Sequence, residues 1–118
     1  MIRWVVIALL MSISTAIAAD DVSMTLGVGN SSCGTWSEAR RLHNANALEQ
    51  WIAGFLTAVD ASSIGDLHVS LFYQTDMKGL FAWIDNYCSA DPLTPISHGA
   101  ADLMLELTIE AKARHARP

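Results

Sequence analysis

The clearest hydrophobic pattern in this chain lies between residues 77 and 88. On a helix of about 100° per residue, its large apolar side chains fall within one arc of about 160°. That arc consists of Met77, Leu80, Phe81, Trp83, Ile84, Tyr87 and Cys88. Pro92 follows shortly afterwards, and a proline cannot continue a helix. The pattern predicts an amphipathic helix that ends near Ala90 and is covered by other helices.

Two helices are predicted before this one. Residues 35–38 (Thr-Trp-Ser-Glu) form a capping box, which predicts a helix from about Trp36 to His43. Asn46 is a favourable N-cap for the second helix. The second helix carries apolar side chains at intervals of three and four, which are Leu48, Trp51, Ile52, Phe55, Leu56 and Val59.

The last predicted helix follows residues 94 and 95, where proline occupies the first helical position that it tolerates. Thr75 is expected to cap the 77–88 helix, with Asp76 in its first turn. The inner stripe of the last helix is Ile96, Ala100, Leu103, Met104, Leu107 and Ala111. Its basic end is Lys112, Arg114, His115 and Arg117. The fold class predicted is therefore all-α, a compact four-helix domain.

Two segments leave alternatives open. Val22, Met24, Leu26 and Val28 alternate with small or polar residues, which indicates either a short strand or a disordered N-terminal tail. Residues 61–66 read as a loop, and residues 67–73 then alternate, as a strand or an irregular turn of helix. Since a lone strand leaves its backbone groups unpaired, a strand in one segment requires one in the other, as a short two-strand ribbon.

One glycine lies inside the second predicted helix. Gly54 costs up to about 1 kcal/mol there relative to alanine. We therefore expect Gly54 to mark a close crossing of two helices. We also expect Trp51 to be buried against the arc that contains Leu80 and Ile84.

Residues 1–19 have the pattern of an export signal. Arg3 precedes an unbroken apolar run, and the small residues 16–19 provide an A-x-A cleavage motif after Ala18 or Ala19. A membrane anchor is the alternative, but such a span needs about 20 apolar residues, and this stretch is shorter and contains serines and a threonine. We expect residues 20–118 to form one exported domain, with a flexible N-terminal segment and a C-terminal tail.

The chain contains two cysteines, Cys33 and Cys88, and both lie in the mature part. Exported domains mature in an oxidising compartment, which favours a disulfide between them. The bridge would close a loop of 88 − 33 = 55 residues and stabilise the domain by roughly 4 kcal/mol. A reactive thiol or a metal pair is the alternative, but there is neither a C-x-x-C motif nor a nearby histidine at ligand spacing.

Net charge and sequence motifs argue against several classes of function. Without Arg3, the mature chain has six basic and 12 acidic side chains, so its net charge is 6 − 12 = −6. That balance argues against nucleic-acid binding. The four histidines lack metal-ligand spacing, and there is no H-E-x-x-H, G-x-S-x-G or glycine-rich phosphate loop. We expect no enzymatic activity, no cofactor and no metal site.

Short motifs resemble a known family. Cys33 opens the first helix with Trp36 three residues later, residues 51–55 read Trp-Ile-Ala-Gly-Phe, and Cys88 precedes Pro92 by four residues. Over residues 33–107 the chain resembles the HdeA/HdeB-like fold of small periplasmic helical proteins. The spacing around Gly54 and the segment 87–107 is similar to the related immunity proteins that block type VI secretion amidase toxins.

The resemblance implies a non-enzymatic, periplasmic, protein-binding domain without a cofactor. The expected role is that of an HdeA-like stress chaperone for unfolded clients, and the alternative is immunity against a secreted amidase toxin. Either role implies a monomer or a homodimer that contacts no membrane after signal cleavage. A rigid partner-binding surface is expected in the 60–74 segment, at Asp66, His68, Leu71, Phe72 and Tyr73.

Overall fold

Four α-helices make up most of residues 24–118, the part of the chain that the computed structural model describes. They are α1 (Cys33–Arg41), α2 (Asn46–Leu67), α3 (Met77–Ala90) and α4 (Ile96–His115), preceded by a 3-10 turn at Gly27–Asn30. Within these residues there is no β-strand, only one isolated antiparallel bridge between Ser32 and Pro95. The predicted all-α, four-helix class is confirmed, whereas the predicted signal peptide, residues 1–19, lies outside the described residues. None of the described helices is long and apolar enough to cross a membrane.

The predicted disulfide is confirmed, and it joins α1 to α3. Cys33 is the first residue of α1 and Cys88 lies in the last turn of α3, with their Cα atoms 4.6 Å apart. Both side chains are fully buried. Further along the same pair of helices, Trp36 packs edge-on against Phe81 with ring centroids 5.8 Å apart. The two helices therefore run antiparallel and are held together covalently at one end.

The core lies between all four helices. The arc predicted for α3 points inward, with Leu80, Ile84 and Cys88 buried and its aromatic residues half-buried. The other helices cover it with Trp36, Leu48, Ile52, Leu56, Ile96, Ala100, Leu103, Met104 and Ala111. The pattern of apolar positions thus correctly predicts the buried faces of α3 and α4, except that Met77 at the start of α3 is 40% exposed.

Backbone hydrogen bonds fasten the start of α1 to the connection between α3 and α4. The N–H of Cys33 donates to the carbonyl of Thr94 at 2.7 Å, and that of Gly34 donates to Pro92 at 2.8 Å. The N–H of Ile96 in turn donates to Ser31 at 2.9 Å. These bonds satisfy amide groups at two helix N-termini, which have no partner within their own helices.

Helix α2 is longer than predicted, because residues 61–66 continue it instead of forming a loop. The hydroxyls of Ser62 and Ser63 donate to the Val59 carbonyl, so they are satisfied within the helix. The helix ends where His68 adopts the left-handed conformation, with φ of 56°. Histidine is among the residues that adopt this conformation more readily, and it terminates α2 as a C-cap.

Residues 68–74 contain bends and a turn, so of the two alternatives for this segment the strand is wrong and the irregular turn is closer. Asp60 in α2 accepts hydrogen bonds from the Ser70 hydroxyl at 2.9 Å and from the Leu71 N–H at 2.6 Å. Through these bonds α2 holds the following segment against itself. Leu71 consequently enters the core and is only 1% exposed.

The N-terminal segment lies against Trp51. This contact corrects one expectation for the segment and one for Trp51. Residues 24–26 have no regular structure and a 3-10 turn follows, so the described part of the 22–28 segment is not a strand. The indole of Trp51 donates to the Leu26 carbonyl at 2.9 Å and stacks on Phe55. A Cβ on Gly29 would overlap the Trp51 ring. Trp51 is therefore half-buried under the N-terminal segment, not buried against α3.

The close approach of two helices occurs at Gly99, not at Gly54. A Cβ built on Gly54 would meet no atom within 4 Å, because this glycine faces solvent. A Cβ on Gly99 would lie 2.8 Å from Cδ1 of Tyr87. Gly99 thus lets α4 pack closely on the aromatic ring of α3.

The helices begin within a few residues of the predicted positions, but several caps differ. Ser32 caps α1 by accepting from the Thr35 N–H, and Glu38 pairs with Arg41 instead of closing a capping box. Asp76, not Thr75, caps α3 by accepting from Gly79. The residues that precede α2 and α4 are Ala45 and Pro95, and neither side chain caps its helix.

Candidate functional site

The predicted partner-binding segment is only partly accessible. Asp66 and His68 are exposed, Phe72 is half-buried and Tyr73 is 75% exposed. Leu71 is buried in the core, so the expectation that it contributes to a surface is wrong. The reason is the pair of hydrogen bonds from residues 70 and 71 to Asp60, which turns this side chain inward.

The four histidines are separate and exposed. His43 follows α1, His68 caps α2, His98 lies near the start of α4, and His115 is its last residue. Among residues 24–118, no three His, Cys, Asp or Glu side chains are grouped so that they could hold a metal ion. Both cysteines are joined in the disulfide.

The most extensive polar cluster is centred on Arg40 and connects three helices. The Arg40 guanidinium donates to Asp85 of α3 through two nitrogens, at 3.0 and 2.9 Å. Its third nitrogen donates to Glu49 of α2 at 2.7 Å. The indole of Trp36, which is fully buried, donates to the same Asp85 oxygen that accepts from Arg40 Nε, at 2.7 Å. A single cation thus links α1 to α2 and to α3.

The environment of Arg40 favours its charged form. The guanidinium carbon lies 5.5 Å from the Trp36 ring centroid and 5.6 Å from that of Phe81. The hydrogen bond to Asp85 is the main reason why the pKa of Arg40 lies above its ordinary value, and Glu49 adds to the effect against burial. Since arginine is already charged at neutral pH, the side chain stays cationic throughout the neutral and acidic range.

A third carboxylate links α3 to α4. The indole of Trp83 donates to Glu106 at 3.3 Å. Together with Asp85 and Glu49, this residue completes a set that we call the carboxylate links. Within residues 24–118, the side-chain hydrogen bonds that Trp36, Arg40 and Trp83 donate to another α-helix all have one of these three carboxylates as acceptor. These connections between the helices therefore depend on one type of ionisable group.

Because their acceptors are carboxylates, these hydrogen bonds between helices are charge-assisted. Carboxylates become neutral as the pH falls below about 4, and a protonated carboxyl loses its charge-assisted hydrogen bonds. The Arg40 guanidinium would then keep its contacts with the Trp36 and Phe81 rings but lack a counter-ion. By contrast, the Cys33–Cys88 bond does not respond to pH in this range and continues to join α1 to α3.

The carboxylate links are not predictable from the sequence pattern alone. Arg40 and Asp85 are 45 residues apart, and Asp85 lies on what reads as the solvent-facing side of α3. The available signal was indirect: Trp36 and Arg40 are four residues apart on α1, and Phe81 and Asp85 are four apart on α3. Such spacings place side chains on one face of each helix, but they do not identify the facing helix.

Comparison with protein-family models, with curated proteins and with solved structures finds no match to this chain. The structure establishes the fold class of this chain, which is a four-helix domain with a buried disulfide between α1 and α3. Structural disulfides are typical of proteins that mature in an oxidising compartment outside the cytoplasm.

Proposed function

We propose that this chain is a non-enzymatic, periplasmic protein-binding domain that works as an acid-activated chaperone, similar in type to HdeA. In this role the protein is folded and inactive at neutral pH. Acid loosens the contacts between its helices, and the apolar faces that become exposed bind unfolded client proteins. No cofactor or metal takes part.

The single observation that carries this proposal is the nature of the carboxylate links. Asp85, Glu49 and Glu106 accept hydrogen bonds that join α1 to α3, α1 to α2 and α3 to α4. Loss of their charge would weaken these three helix contacts, while most of the buried surface beneath them is apolar. Acid would therefore expose a surface suited to unfolded polypeptides.

The charge of the whole molecule changes in the same direction. The mature chain carries −6 at neutral pH, and its 6 basic side chains and 4 histidines give +10 when the carboxylates are neutral, below about pH 3. Repulsion among like charges then favours expansion. Any acidic protein reverses its charge in acid, so this change assists the opening without distinguishing this protein from others.

The disulfide limits how far the molecule opens. Because it joins the start of α1 to the end of α3, residues 33–88 form a closed loop even when α2 and α4 move away. The unfolded ensemble of a cross-linked chain is more restricted, which favours refolding when neutral pH returns. This is the behaviour expected of a chaperone that is used repeatedly.

The test is suppression of client aggregation. A client enzyme that unfolds at about pH 2.5 is followed by light scattering, with and without the oxidised protein, at that pH and at pH 7. We expect suppression only in acid, and weaker suppression by the double variant Cys33→Ser, Cys88→Ser. Absence of suppression by the wild-type protein at acid pH would refute the chaperone proposal.

A second candidate function, immunity against a secreted amidase toxin, is favoured by one observation. Tyr73 is 75% exposed in the folded protein, and the neighbouring Val69 is 37% exposed. Exposed aromatic residues are common anchors in protein interfaces. An immunity protein needs such a rigid surface at neutral pH, where the chaperone would be inactive.

The two candidates give opposite results at neutral pH. If the protein is an immunity protein, it should bind an amidase tightly and in a 1:1 ratio at pH 7, and Tyr73→Ala should weaken the complex by more than about tenfold. Leu42→Ala, at an apolar position directly after α1 that is 50% exposed, is the matched control. Binding that Tyr73→Ala leaves unchanged would exclude this surface.

A further inference from the structure

A groove of about 540 Å³ lies between the N-terminal segment, α2 and the first turns of α4. It is lined by Met24 and Leu26 from the first, Trp51 and Phe55 from the second, and Ser97 and His98 from the third. Its volume is within the usual range for sites that hold small molecules. The groove thus combines an apolar wall with polar groups at the start of a helix.

The apolar wall is held in place by the folded chain. The rings of Trp51 and Phe55 are nearly parallel, with an interplanar angle of 15° and centroids 5.6 Å apart. The Trp51 indole donates to the Leu26 carbonyl, and the backbone at Gly29 packs directly on the same ring. Because these contacts already order the rings, an apolar or aromatic ligand can pack on them at little entropic cost.

Ser97 is the residue that points to a ligand. It is only 9% exposed, yet its hydroxyl forms no hydrogen bond with any other group in residues 24–118. Every fully enclosed side-chain oxygen or nitrogen in that range has a partner, so this hydroxyl is not sealed inside the protein. The surface that Ser97 lines is the groove. Since buried polar groups are normally satisfied, the hydroxyl is placed to bind what the groove holds.

The first turn of α4 adds a backbone donor at the same end. The N–H of Ile96 donates to Ser31 and that of His98 donates to Pro95, whereas that of Ser97 has no acceptor among the described residues. Pro95, which precedes the helix, provides no side-chain cap. Unpaired N–H groups at the start of a helix attract anions, because the helix dipole adds partial positive charge there.

The charges around the groove favour one negative group. Although the mature chain has twice as many acidic as basic side chains, the described residues that line the groove include no Asp or Glu. His98 lies next to Ser97 and can donate a further hydrogen bond. Two or three donors match the two oxygens of a carboxylate, whereas a phosphate group presents three oxygens and a larger charge.

We propose that this groove binds a small carboxylate with an aromatic or short alkyl body. The carboxylate accepts from the Ser97 hydroxyl and N–H, with His98 beside it, and the body packs on the rings of Trp51 and Phe55. Met24 is 84% exposed at the rim, and its flexible side chain can adapt to bodies of different shape. The site belongs to the folded protein at neutral pH, so it depends on neither the chaperone nor the immunity role.

Titration of the oxidised protein at pH 7, followed by NMR, tests the proposal with four probes. Cinnamate and octanoate carry the carboxylate on an aromatic and an alkyl body, and cinnamyl alcohol and octanol carry the same bodies without the charge. At least one carboxylate should bind with a dissociation constant below about 1 mM, roughly tenfold or more tighter than its alcohol. The signals of the Trp51 indole N–H and the Ser97 amide should shift during the titration.

Two substitutions separate the polar end of the groove from its wall. Ser97→Ala should weaken carboxylate binding about fivefold or more and leave binding of the alcohols unchanged, because only the charged group accepts from the hydroxyl. Ala101→Leu, at an exposed alanine that also lines the groove, should fill the space and weaken all four probes. Ala113→Leu, at an exposed alanine farther along α4, is the matched control and should bind like the wild type.

Circular dichroism identifies any variant that has lost helix content, and the wild-type titration does not depend on the variants. Failure of both carboxylates to bind below about 1 mM would overturn the proposal. Equal affinity of each carboxylate and its alcohol would also overturn it, as would carboxylate binding that neither Ser97→Ala nor Ala101→Leu weakens.

Discussion

Arg40 links α1 to α2 and to α3 through carboxylates, so its contacts are the ones on which the proposed acid activation acts. Its guanidinium is held by Asp85 and Glu49 and lies close to the rings of Trp36 and Phe81. At neutral pH these partners compensate its charge. Under the proposed acid activation the arginine keeps its charge while its carboxylate partners lose theirs, so the links from α1 to α2 and α3 weaken.

Asp91, at an exposed position between α3 and α4, forms local hydrogen bonds that favour its charged form. Its carboxylate accepts from the Thr94 hydroxyl at 2.6 Å and from the Leu93 N–H at 3.2 Å. These hydrogen bonds, the one from Thr94 first, hold the pKa of Asp91 below its ordinary value. A carboxyl group with a lowered pKa contributes stability above its unfolded-state pKa of about 4, and this contribution is lost as the pH falls through the lowered value.

Substitution of Asp91 should therefore change the melting temperature by an amount that depends on pH. Asp91→Asn should lower the melting temperature at pH 7, because the amide cannot supply the charge that the Thr94 hydroxyl stabilises. At pH 2 the effect should be small, since the wild-type side chain is then neutral as well. Asp66→Asn, at an exposed acid in α2, is the control for net charge. An equal loss of melting temperature at both pH values would contradict this role for Asp91.

At the scale of the helices, the apolar pattern predicted which helix faces are buried but not where the helices begin and end. The buried positions of α3, such as Leu80 and Ile84, follow from their spacing. Helix ends depend on competition between nearby caps: Ser32 and Thr35 are both good N-caps, and tertiary hydrogen bonds to residues 92–96 favour Ser32. The full length of α2 was missed because serines and glycine in residues 62–65 also occur in loops.

The close packing of α3 and α4 at Gly99 leads to a prediction for which Gly54 serves as the control. Gly99→Ala should destabilise the protein by roughly 1–3 kcal/mol, because its Cβ would lie 2.8 Å from Tyr87 in the packed interface of α3 and α4. Gly54→Ala should stabilise it by up to about 1 kcal/mol, since the added methyl group meets nothing and alanine favours the helix. Thermal unfolding at pH 7 measures both. Destabilisation at Gly54 or tolerance at Gly99 would show that the crossing is placed wrongly.

At the scale of the molecule, the disulfide and the carboxylate links divide the contacts into two kinds. The contact between α1 and α3 has a covalent bond as well as polar and aromatic contacts. The contacts of this pair with α2 and α4 depend on apolar packing and on Glu49 and Glu106. Acid should therefore separate α2 and α4 from a pair that stays joined.

The disulfide could be predicted from the sequence, whereas the carboxylate links could not. The disulfide followed from the presence of two cysteines in a chain whose first residues have the pattern of an export signal. The carboxylate links required knowledge of which helices face each other, and contacts such as Arg40 with Asp85 join residues that are distant in sequence. The predicted surface at residues 66–73 was partly wrong because Asp60 turns Leu71 into the core.

The most direct test of acid opening is the pH at which apolar surface becomes exposed. A dye that binds apolar surface and near-ultraviolet circular dichroism can follow this change from pH 7 to pH 2. The informative variant combines Asp85→Asn with Glu49→Gln, which imitates protonation of two carboxylate links while preserving their size. Asp66→Asn serves as the control, because this acid is exposed and accepts no bond between helices.

For the wild-type protein we expect dye binding to rise, and fixed aromatic packing to be lost, as the carboxylates protonate below about pH 4. In the double variant the midpoint should move to higher pH by roughly half a unit or more, and Asp66→Asn should leave it close to that of the wild type. A wild-type protein that stays fully packed at pH 2.5, or a double variant whose midpoint equals that of the control, would contradict the proposed acid activation.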